Sequence, residues 1–127
     1  GEVFVSVEGG IEALREKVYE ELNEARNARM QDNEGRARVC ARRAAGWAIE
    51  SIHAAKEGEA LPESNAYRFL QWFEQQQEHP KALREAAGRL TTRVNEDFNL
   101  PFIEDPLEDA EWIVGWVFDY CENSDSH

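Results

Sequence analysis

The chain has 127 residues, and its 14 lysines and arginines stand against 26 aspartates and glutamates, for a formal net charge of −12. That length makes one domain, able to bury roughly two thirds of its unfolded surface without staples, while that charge argues against nucleic acid or an anionic membrane as a partner of the whole surface. The longest apolar run, Ile113 to Phe118, falls far short of the roughly twenty residues of a membrane span.

Taken in chain order, Val3, Val5 and Val7 alternate with Phe4 and Ser6 before Gly9 and Gly10, which predicts a short extended N-terminal arm over 1–10. No signal-peptide order of charged start, apolar core and cleavage site accompanies it. From Ile11 the period becomes helical: Ile11, Leu14, Val18, Leu22 and Ala25 share a face, and glutamates fill the rest. A polar turn over 31–35 leads into the central helix. There Ala37, Cys40, Ala41, Ala44, Trp47, Ala48, Ile52 and Ala55 form a stripe wide enough for two or more neighbours, with Arg38, Arg42, Arg43, Glu50 and His53 opposite. Cys40 on this stripe and the distant Cys121 read as reduced thiols of a cytoplasmic protein.

Gly58 and Pro62 stop the central helix, and Ser64 or Asn65 is placed to cap the next. That helix, about fifteen residues ending before Pro80, crowds Tyr67, Phe69, Leu70, Trp72 and Phe73 over more than one face. After Pro80, Leu83, Ala86, Ala87, Leu90, Val94 and Phe98 line one side of a fourth helix, and Arg84, Arg89 and Arg93 the other. A last helix begins near Leu107. It buries Leu107, Ala110, Ile113, Val114 and Val117 and carries Trp112, Trp116 and Tyr120 four apart on a second face. The pattern predicts an all-α protein: about five helices in a mostly antiparallel up-and-down bundle, with a single helical-bundle domain over 11–120 and a polar C-terminal tail over 121–127.

Chemistry-bearing constellations are few. Glu50 and His53 have the one-turn spacing of carboxylate-bridged metal bundles, but a single copy makes no metal site, and neither a metal nor a cofactor is expected. No nucleophile elbow and no phosphate loop is present. The remaining feature is charge segregation: six arginines lie between 26 and 43 against two acids, while ten acids and no lysine or arginine occupy 96–127. Its simplest use is ion pairing inside the fold. Its functional alternative is an enzyme or sensor in which Arg38, Arg42 and Arg43, with His53 as acid or base, hold a nucleotide or other phosphate anion.

The segment ARVCARRAAGWAIESI, Ala37 to Ile52, preceded by a glutamate-rich amphipathic helix and followed by a loop and further helices, resembles the helical HEPN family. In helix order the resemblance covers 11–118; at residue level it covers Ala37 to Ile52. It implies an up-and-down bundle, frequent dimers, small nucleotidyltransferase partners and, in some branches, RNase toxin activity. Those branches rely on an arginine closely followed by a histidine, a pair missing here: the residues five to seven before His53 are Gly46, Trp47 and Ala48, those before His79 are Trp72, Phe73 and Glu74, and those before His127 are Tyr120, Cys121 and Glu122. No catalytic residue is therefore expected. The sequence points to a non-enzymatic binding module, expected to be a homodimer, acting through a protein partner, with Trp112, Trp116 and Tyr120 as its interface.

Overall fold

In the computed structural model, α1 spans Glu2–Met30, α2 Glu34–Glu57, α3 Ala66–Glu74, α4 Lys81–Leu90 and α5 Pro106–Asp125. The structure describes residues 2–57, 65–92 and 104–125, with side chains over 12–54, 65–92 and 104–120, and no strand occurs among the described residues. The all-α architecture expected from the periodicity is present. Among the described residues no helix is long and apolar enough to cross a membrane.

The extended arm expected over 1–10 is corrected: the backbone from Glu2 onward belongs to α1. Valine and glycine are poor helix formers by only about 0.5–1 kcal/mol each relative to alanine. Extending an existing helix adds a hydrogen bond per residue without a new nucleus, whereas a lone strand has no ladder to join. The helix is also longer at the other end of the chain than the expected boundary at Tyr120, since α5 runs to Asp125.

α1 ends in a tight reversal. The amide of Asn33 donates to the Ala28 carbonyl at 2.8 Å, and Asp32 takes a left-handed φ of 61°, a conformation aspartate tolerates better than most residues. Asn33 then caps α2, its side-chain oxygen accepting from the Arg36 amide at 3.1 Å. This places α2 antiparallel to α1, with Arg36 near Glu24, Arg43 near Glu21 and Trp47 beneath Lys17. α5 is likewise antiparallel to α1, through Arg29 with Asp105, Arg26 with Glu111 and Tyr19 against Phe118. The two inner helices α2 and α5 therefore run in the same direction. α1 covers one side of this pair, and α3 with α4 the other.

The core follows the sequence stripes. Val18, Leu22 and Ala25 of α1 meet Cys40, Ala41, Ala44, Ala48 and Ile52 of α2, and Ile113, Val114 and Val117 of α5 complete the layer. Small residues on α2 let its neighbours come close. One such approach is at Gly46, where a Cβ would stand 2.7 Å from the backbone of Ala66; here glycine is required for α3 to lie on α2. Asn65 caps α3, accepting from the Arg68 amide at 3.0 Å. α3 is shorter than the fifteen residues its apolar run suggests, stopping at Glu74 so that His79 can fold back onto Phe73 with ring centroids 4.2 Å apart. Val94, Phe98 and Arg93, expected on the fourth helix, lie outside the described residues.

Candidate functional site

The six arginines of the basic segment are largely taken up by the fold. Arg29 forks onto Asp105 at 2.7 and 2.6 Å and onto Glu34 at 2.9 and 3.2 Å, joining the end of α1 to the starts of α2 and α5. These hydrogen bonds hold the Asp105 carboxyl below the usual carboxylate range and push the Arg29 guanidinium up. Arg26 reaches Glu111 at 3.4 Å, Arg36 reaches Glu24 at 3.5 Å and Arg43 reaches Glu21 at 3.4 Å. Arg42 lies over the Tyr67 ring, 4.6 Å from its centroid, and donates to the Leu90 carbonyl at 2.9 Å, closing the C-terminal end of α4 where a cation is favoured. Arg38, half-buried, makes no ion pair or hydrogen bond among the described residues.

The proposed anion group is thus not brought together. Arg42 faces α3 and α4, Arg43 faces α1, and His53 is only 4 % exposed, with its ring edge-on to Trp72 at 4.8 Å and to Phe69 at 5.6 Å. The expectation of His53 on the polar face of α2 is corrected by this burial: α3 crosses α2 at Gly46 and lays its aromatic side over the next two turns. His79 is buried in the same aromatic layer, between Phe73 and Trp116. Glu50 remains exposed, so the Glu50 and His53 pair does not converge, and among the described residues no group of three or more histidines, cysteines or acids could hold a metal ion. Cys40 is a buried free thiol that burial, with Glu21 beside it, pushes above its ordinary pKa.

The acidic end contributes its own internal pairs. α5 starts on Asp105, which accepts from the Leu107 amide at 3.2 Å, with Pro106 in the first position and Glu108 and Asp109 in the first turn, where the helix dipole favours negative charge. Asp109 is 5 % exposed and receives a two-pronged bond from Arg89 of α4 at 2.8 and 2.9 Å.

What α5 turns outward is a stripe of Glu108, Glu111, Trp112, Gly115 and Asp119, all exposed at the spacing of one helix face. Of the three expected interface residues, Trp116 is different in kind. It is half-buried, edge-on to Phe73 at 5.8 Å and to His79 at 5.3 Å, and anchors α5 to the α3 and α4 layer. Tyr120 lies stacked on it at 5.2 Å and is 39 % exposed. Trp112 is 50 % exposed and has no ring contact among the described residues. With roughly 150–250 Å² of surface that an aromatic side chain can bury, half of it in water leaves about 2–3 kcal/mol to be gained by covering it.

Two residues that pattern reasoning passed over belong to this face. Among the described residues nothing lies within 4 Å of where a Cβ on Gly115 would stand, and Tyr19 of α1, 43 % exposed, stands beside it across a shallow groove. The signal was in the sequence. A glycine in a helix interior forgoes about 1 kcal/mol relative to alanine, and Gly115 sits in mid-helix between two tryptophans with no internal contact that needs it. Compared with family models, curated proteins and solved structures, the chain matches none.

Proposed function

We propose that this chain is a non-enzymatic helical module that acts by binding a protein partner through the outer face of α5. The observation that carries this is Trp112, a half-exposed tryptophan on an otherwise well-packed helix, set among exposed acids; aromatic anchors of this kind dominate the energetics of protein interfaces. The engagement of Arg42, Arg43 and His53 in internal contacts supports it too, because an anion at α2 would have to displace a helix cap, an ion pair and an aromatic layer. On this reading the HEPN-like rhythm of Ala37 to Ile52 is that of a dimerising, non-catalytic member.

Affinity capture from native lysate, run side by side with wild-type protein and the Trp112→Ala variant and with nuclease added, tests the proposal. A stoichiometric protein partner held by the wild type and lost by the variant is expected. Capture of nucleic acid alone, or of a partner that the variant holds equally well, refutes the assignment.

A further inference from the structure

Three aromatic rings among the described residues lie under cations of the chain itself. Lys17 sets its ammonium 4.1 Å from the centre of the Trp47 ring, with Arg43 at 6.0 Å; Arg42 lies 4.6 Å from the centre of Tyr67, and Arg15 5.0 Å from that of Phe118. An indole face attracts such a cover most strongly. Trp112 is the exception: it is 50 % exposed, more than any of those three, and no cation of the described residues lies over its ring. What surrounds it is negative. Glu108 stands one turn before Trp112 and Asp119 two turns after it on the same exposed stripe, and neither carboxylate enters an ion pair among the described residues. Glu111, beside them, shares an exposed pair with Arg26 at 3.4 Å, a contact weak enough to be exchanged for another. Asp105 and Asp109, by contrast, are held inside the fold by Arg29 and Arg89, and α5 carries no lysine or arginine along its length.

A bare indole with a free carboxylate one turn away supplies both halves of a cation's surroundings, a face for its flat side and an acceptor for its N–H groups. Charge complementarity therefore names the occupant. Resting on the protein-binding reading above, we infer that the partner of this face is a basic segment of another protein, which lays an arginine on the Trp112 ring and hydrogen-bonds its guanidinium to Glu108. Arginine suits the place because its planar head stacks on an aromatic ring and still forks onto a carboxylate, which the compact ammonium of lysine does not. Seven helical residues, about 10 Å, separate Trp112 from Asp119, and about three residues of extended chain cover that distance. The same segment thus brings a second basic residue, three positions on, to Asp119.

The probe is a capped peptide in which arginine recurs at every third position between serines and glycines, titrated into the isotope-labelled full chain while the indole N–H resonances of its four tryptophans are followed. The resonance that is missing in Trp112→Ala moves furthest, and those of Trp47, Trp72 and Trp116, covered within the chain, move least. Affinity falls by about tenfold or more in Trp112→Ala and in Glu108→Lys, and falls again between about 50 and 500 mM salt, as pairing of exposed charges does. Glu50→Lys, the same change of net charge at an exposed site on α2, leaves it nearly unchanged. The peptide with citrulline for arginine, alike in shape but uncharged, does not bind. Circular dichroism melts establish that the variants are folded. A peptide that moves no tryptophan resonance, or moves Trp47 ahead of Trp112, overturns the inference; so does equal weakening by Glu50→Lys and Glu108→Lys, equal binding of the citrulline peptide, or indifference to salt. The two ideas fail separately. A lysate partner lost by Trp112→Ala but kept by Glu108→Lys leaves the protein-binding reading and refutes its basic chemistry, whereas a peptide seated on Trp112 beside a lysate partner that Trp112→Ala holds as well as wild type refutes the reading and leaves the chemistry of the site.

Discussion

Removing the guanidinium from Arg89 tests how this bundle uses its charges. Asp109 is 5 % exposed, and both of its carboxylate oxygens are held by Arg89, whose side chain is 21 % exposed. The Arg89→Met variant keeps most of the aliphatic stem and leaves Asp109 buried without its cation. Breaking a buried pair from one side costs about 3–5 kcal/mol, and the partial access of water to Arg89 puts this case at the lower end, about 3 kcal/mol, or roughly 10 °C in melting temperature for a chain of this size. Arg26→Met is the matched control. Its ion pair with Glu111 is 43 % and 41 % exposed on the two sides, which limits the loss to less than about 1 kcal/mol. Urea unfolding followed by tryptophan fluorescence reads both. In the double variant, Arg89→Met with Asp109→Leu, the stranded charge is gone, and the loss falls below that of Arg89→Met alone. If Arg89→Met costs no more than Arg26→Met, or if the double variant is worse than the single, the reasoning is wrong.

Acid acts on the Arg29 junction in a defined direction. Because Asp105 ionises below its unfolded value of about 3.9, its contribution is complete above that pH and is lost as pH falls toward the lowered folded value; the stability gap between wild type and Asp105→Asn, open at neutral pH, closes on acidification, and a gap independent of pH rules this out. The two glycines respond with opposite signs. Gly46→Ala pushes α3 off α2 and costs about 1–3 kcal/mol, whereas Gly115→Ala, meeting empty space, raises stability by up to about 1 kcal/mol; thermal melts that rank them the other way refute the geometry. Buried and held protonated, Cys40 resists iodoacetamide in the native protein and is alkylated once urea unfolds it, as peptide mass spectrometry reads; rapid native labelling of Cys40 counters this.

Much of the fold is legible in residue spacing. Each apolar position assigned to the central helix between Ala37 and Ile52 is buried except Trp47, which is half-buried under Lys17 and Arg43. Asn65 was one of two candidate caps for α3 and is the one used. What a 3.6-residue period does not carry is the number of neighbours a helix will have. His53 stands at the border of the polar face of α2 and is exposed or buried according to where α3 lies, which a single close approach at Gly46 decides. In the same way Trp112, Trp116 and Tyr120 share one spacing but not one role, because α3 and α4 reach only far enough to cover Trp116. The arginines of α2 reach α1, α3 and α4 because residues a few positions apart on a helix point in different directions, while Arg26 and Arg29, which reach α5, belong to α1. Their dispersal is a consequence of geometry rather than composition.

The position of α5 between α1, α2 and α4 also governs how the protein is made. The α1 and α2 hairpin closes through local contacts as soon as both helices leave the ribosome, but a helical hairpin shields only part of the alanine face of α2. α3 covers part of the remainder, and the rest stays wet until Ile113, Val114 and Val117 arrive from α5, while the Arg29 to Asp105 tie closes across 76 residues of chain. Burial of the core therefore waits on α5, and a nascent chain stalled before it presents apolar surface of α2 to chaperones and proteases.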